Sequence, residues 1–136
     1  MNRALLPLLV AFGVLAIAVA GWWLKRPADA LSVACPDPVV GCHFIHGGIP
    51  AHVQFSAVPV PLEGFELALR APGVRHAHAE FQMVGMDMGF NRYDLRPQQA
   101  GFQARITLPV CVSGRRDWML YLELDGTRYA MPFSSR

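Results

Sequence analysis

Trp118-Met119-Leu120-Tyr121-Leu122-Glu123-Leu124-Asp125-Gly126-Thr127-Arg128-Tyr129-Ala130-Met131-Pro132-Phe133 is the stretch that decides the fold. Trp118, Leu120, Leu122 and Leu124 alternate with Met119, Tyr121 and Glu123, the period of a strand with one buried face. Asp125-Gly126 is the dipeptide of a two-residue hairpin, whose central residues both need positive φ. The chain then returns through Thr127 to Phe133. A lone hairpin is marginal in water, so this one needs further strands against its apolar face.

The same period recurs upstream. Val53 and Phe55 alternate with His52 and Gln54, and Phe65, Leu67 and Leu69 alternate with Glu66, Ala68 and Arg70. Ala77, Ala79, Phe81 and Met83 alternate with His76, His78, Glu80 and Gln82. Phe102, Ala104, Ile106 and Leu108 alternate with Gln103, Arg105 and Thr107. No segment after residue 26 has a 3.6-residue period. Short strands separated by Gly and Pro turns predict an all-β domain, an immunoglobulin-like β-sandwich of about seven strands. The Cys…Trp…Cys spacing of true immunoglobulin domains is absent, so only the architecture is predicted. Trp118 is the expected central core aromatic.

The N-terminus is of another kind. Ala4 to Leu24 carries no charge. As a helix it is about 30 Å long, the thickness of a bilayer's hydrocarbon core. Trp22 and Trp23 stand where an interfacial aromatic belt belongs, followed by Lys25 and Arg26. Residues 1–26 therefore read as a transmembrane anchor. A signal peptide is the competing reading, with Ala18-Val19-Ala20 as its cleavage site. Residues 27–41 hold prolines and no period, as a linker does. Residues 42–136 make the sandwich domain. Cysteine usage and the short N-terminal tail put that domain outside the cytoplasm, with the chain single-pass in the inner membrane.

From residue 27 onward there are nine Arg and ten Asp or Glu, so the domain lacks a nucleic-acid footprint. No phosphate loop, nucleophile elbow or zinc-protease motif is present, and no enzymatic activity is expected. Three cysteines, Cys35, Cys42 and Cys111, are disulfide candidates in an oxidising compartment. Their pairing stays open.

Met83-Val84-Gly85-Met86-Asp87-Met88-Gly89-Phe90 is the most informative segment for chemistry. Thioether sulfur is a soft neutral ligand that suits Cu(I). Met86 and Met88 are two residues apart, so in an extended chain they point the same way. Gly85 and Gly89 put them at a strand end. Met83 shares a face with Ala79 and Phe81 and is expected to be mostly buried. His76 and His78 share the outer face of their strand, a spacing that suits imidazole ligation. The candidate copper ligands are thus Met86 and Met88, completed by Met83, His76 or His78. His43 and His46 read as polar loop residues. Ser113-Gly114 reads as a tight turn from which Arg115 and Arg116 project, candidates for contact with a partner protein or lipid phosphates.

Met86-Asp87-Met88-Gly89-Phe90-Asn91-Arg92-Tyr93, then Leu108-Pro109-Val110-Cys111 and Ser113-Gly114-Arg115-Arg116-Asp117-Trp118, resemble a family of small anchored bacterial proteins. The domain pattern is also similar to the FixH-like and YtkA-like sandwich modules, over roughly residues 35–133. The resemblance implies a periplasmic role near Sco-type copper chaperones and cytochrome oxidase assembly, with copper as the metal. A copper chaperone or a membrane oxidase subunit is the implied partner. One departure matters. The His-Met…Met pattern of periplasmic copper chaperones is missing, so a copper site here has to be a different one.

Overall fold

The computed structural model describes residues 5–24, 29–86, 89, 91–110 and 112–136, without the side chains of 5, 6 and 8. One helix, α1 (Leu5–Leu24), precedes ten strands. These are β1 (Leu31–Ser32), β2 (Cys42–His46), β3 (Ile49–Phe55), β4 (Gly64–Arg70) and β5 (Ala77–Met83). They continue as β6 (Arg92–Asp94), β7 (Arg96–Gln98), β8 (Gly101–Thr107), β9 (Asp117–Leu124) and β10 (Thr127–Ser134). They form two five-stranded sheets, ordered β1-β10-β9-β5-β6 and β2-β3-β4-β8-β7. The all-β sandwich is as expected. Seven strands have five or more residues; β1, β6 and β7 have two or three. Strands that short have no period to read.

Two tight turns set the registers. Asp125 and Gly126 both have positive φ, and Thr127 pairs with Leu124 and Phe133 with Trp118. Gly47 and Gly48 do the same for β2 and β3, pairing His46 with Ile49 and Cys42 with Val53. Both are hairpins of the mirror-image type whose twist matches the strands.

The core lies between the sheets. From one come Phe55 and Phe65, from the other Phe81, Trp118 and Phe133, all buried. Ring centroids are 4.9 Å apart for Phe55–Phe65, 5.4 Å for Phe55–Phe133 and 6.0 Å for Phe81–Phe133. Trp118 stacks on Phe133, and its indole N–H donates to Ser135 Oγ at 3.2 Å. Gly101 has φ +140, and a Cβ there would overlap the carbonyl oxygen of Leu69. Glycine is what lets β8 begin so close to β4.

Residues 31–41, expected to be linker, belong to the domain. β1 lies parallel to the edge strand β10, with Leu31 opposite Tyr129, and the Val33 N–H donates to the Ala130 carbonyl. Cys35 is buried and bonded to Cys42, with Cα atoms 5.3 Å apart. The chain thus crosses from one sheet to the other under a disulfide. Cys111 lies outside the described residues.

Helix α1 has twenty residues and no charged side chain, and its described side chains are largely exposed. Among the described residues, no helix is long and apolar enough to cross a membrane.

Cys35→Ser/Cys42→Ser is expected to lower the unfolding free energy by roughly 2–3 kcal/mol, the loop-closure entropy of so short a loop. The urea midpoint of the wild type should fall to that of the variant on reduction, while the variant's should not move.

Candidate functional site

The sandwich has two distinct ends. β10 runs from Thr127 to Ser134 and β1 lies parallel to its first half, so the chain enters beside the Asp125-Gly126 turn. Gly47-Gly48 and residues 71–76 are at this near end. The loops 56–63, 84–91 and 108–116 and the C-terminal residues gather at the far end, as the registers of β3, β4, β5, β8 and β9 require.

The far end carries the Met and Arg motifs. Met83 closes β5 opposite Trp118 and is 2% exposed, held in the core by its alternation with Ala79 and Phe81. Gly85 turns the chain with positive φ, and Met86 emerges 39% exposed, its N–H donating to the Met83 carbonyl at 3.2 Å. Ser113 Oγ lies 3.9 Å from Met86 Sδ. Arg115 Nη1 donates to the Val84 carbonyl at 2.8 Å, which ties the two loops together. Arg116 is exposed, and its own carbonyl accepts the Ser135 N–H. Arg115, Arg116 and Arg136 border a cleft of about 150 Å³ floored by Pro61, Met83, Val110 and Trp118. Met88 lies outside the described residues.

His76 and His78 are elsewhere. They stand at the start of β5, at the near end. His78 Nδ1 contacts Asp94 Oδ1 across the β5–β6 pair. His76 is exposed, and its N–H donates to Asp125 Oδ1. With roughly 3.4 Å per residue along β5, a strand's length separates these imidazoles from Met86. The structure does not bring them together. The Asp125 carboxyl is pulled below its ordinary value by the N–H groups of Arg75 and His76.

His43 and His46, read from sequence as loop residues, lie on β2. His46 Nδ1 is 2.9 Å from the Tyr129 hydroxyl, whose pKa burial raises. His43 faces His52 across the hairpin with ring centroids 4.5 Å apart. The Gly47-Gly48 turn was the signal that could have found this pair. A two-residue loop there makes 43 and 52 opposite neighbours. Among the described residues, no group of three or more His, Cys, Asp or Glu could hold a metal ion.

Scans against protein-family models, curated proteins and solved structures returned no match to this chain.

Burial, then His43, then Arg70 push His52 below its ordinary value of 6.5. The unfolded chain therefore takes up a proton at this position more readily than the folded one. Stability should rise with pH up to about 6.5 and be lost as pH falls through the window below it. Chemical denaturation from pH 7.5 to 5 should show a shallower fall for His52→Gln than for the wild type.

Proposed function

We propose that this chain is a membrane-anchored interaction module. Helix α1 holds it in the inner membrane, and the far end of the sandwich engages a protein partner outside the cytoplasm. One observation carries this reading. Val58, Leu62, Val84, Met86, Val110 and Val112 are all exposed, and all sit on the loops of one end. Exposed apolar groups gathered on one face mark an interaction site more often than scattered ones. Arg115 and Arg116 stand among them, and Arg is enriched where proteins dock.

The anchor rests on the uncharged run of sequence from Ala4 to Leu24, bordered by Trp22, Trp23, Lys25 and Arg26. The Cys35–Cys42 disulfide supports an oxidising compartment. The chain joins β1 beside the near end, so the far loops lie at the opposite end of the strands. We read the strand orders β3-β4-β8-β7 and β10-β9-β5 as the immunoglobulin-like arrangement of two Greek-key sheets. The resemblance to FixH-like and YtkA-like proteins makes a membrane oxidase subunit or a copper chaperone the partner.

A Cu(I) role is the second reading, favoured by the exposed Met86 thioether on the same loops. Met88 would be its companion ligand.

Photo-crosslinkers placed at Val112 and Leu62 in the full chain should trap one discrete membrane partner in the presence of strong chelator. The same probe at Gln54 or Gln103, on a sheet face, should not. Equal scatter from all four positions would sink the docking reading. For copper, Met86→Leu/Met88→Leu should lose at least tenfold in Cu(I) affinity, about 1.4 kcal/mol, in competition with a chelator. Equal affinity of variant and wild type removes the copper reading and leaves the docking one standing.

A further inference from the structure

The outer face of the β2–β3 hairpin holds a pair of histidines that neither the anchor nor the far-end loops use. His43 and His52 are register partners across β2 and β3. Counting from the Gly47-Gly48 turn, His46–Ile49 is the hydrogen-bonded pair that closes a two-residue hairpin. Alternation then makes His43–His52 a non-hydrogen-bonded pair, the kind in which opposed side chains come closest. The ring centroids accordingly stand 4.5 Å apart, tilted by 39°.

The strands that carry the two rings are anchored from below. Phe44 and Val53, their neighbours on the opposite face, are buried in the core. The His52 ring also lies against Gly41, whose φ is +107, and a side chain at 41 would overlap it. His43 is exposed and His52 half-buried, so the pair opens to solvent on one side. Burial, then His43, then Arg70 lower the pKa of His52, which favours the neutral imidazole that ligates metals.

We propose that His43 and His52 chelate a divalent metal ion of the imidazole-preferring class, Zn(II) or Cu(II), leaving its other positions to water or a partner's ligand. Two imidazoles on adjacent rigid strands form a chelate. An isolated surface histidine does not, because its metal contact lacks a second donor. Arg70 is the opposing feature. It is the partner of His52 on β4 and brings one positive charge into the row. Its side chain is exposed and long enough to turn its guanidinium outward. The site is separate from Met86, and soft Cu(I) is not its expected ion.

Zn(II) titration of the full chain in neutral-lipid nanodiscs, followed by imidazole nitrogen NMR, tests this. His43 and His52 signals should shift together with one dissociation constant. His43→Gln and His52→Gln should each weaken that binding at least about tenfold, the loss that even an outer-shell partner's removal brings. Arg70→Gln should tighten it, since it removes the nearby charge and no ligand. His76→Gln/His78→Gln should leave it unchanged. The proposal is overturned if His43→Gln binds as the wild type does, or if the two rings respond with separate, equally weak constants. It is overturned equally if the shifts are confined to His76 and His78.

Discussion

Burial of the aromatic cluster between the two sheets is the interaction on which the remainder depends. Phe55 and Phe65 arrive from one sheet and Phe81, Trp118 and Phe133 from the other, so neither sheet can dry its inner face without its partner. Edge-to-face contacts at Phe55–Phe133 and Phe65–Phe81 add to the area removed from water. The cluster sits toward the end of the sandwich that carries the Met86 and Arg115 loops. Those loops therefore stand directly above the aromatic cluster. Arg115 bonded to the Val84 carbonyl then links one loop to the other.

The chain's entry is managed with equal economy. β1 covers one edge of its sheet for two residues, and the disulfide between Cys35 and Cys42 closes the crossover into the second sheet. Covering an edge blunts the open row of backbone groups that would otherwise recruit another strand. The same path makes the two ends of the sandwich different. The near end takes the connection toward α1, and the far end carries the loops of Val84, Met86 and Arg115.

The outer faces of the sheets are used differently from one another. On one, Arg128 pairs with Glu80 at 3.0 Å and lies over the Tyr121 ring, while His78 meets Asp94. Those groups are mutually satisfied. On the other, His43 and His52 face each other across the hairpin, and Arg70 follows in the same row. That contrast singles out the hairpin pair, although His76 and His78 are the histidines whose spacing attracts attention in the sequence.

The sequence by itself determined the sandwich and its longer strands. Alternation along Trp118–Leu124 and Ala77–Met83 gives both strand and inward face, because side-chain direction in a strand depends only on residue parity. Parity likewise marked Met83 as buried and Trp118 as a core residue, and Asp125-Gly126 gave one register outright. Only the tertiary structure decided the rest. β1, β6 and β7 are too short to carry a period and exist because a neighbouring strand offers them partners. The Cys35–Cys42 bond needed residues 31–33 to run along β10 before the chain crosses to the other sheet, a path that no local pattern encodes. The separation of His76 and His78 from Met86 came from strand direction, and the meeting of His43 with His52 from a hairpin register. Closeness in sequence put the first three together and closeness in space the last two, since sheet pairing joins residues by register.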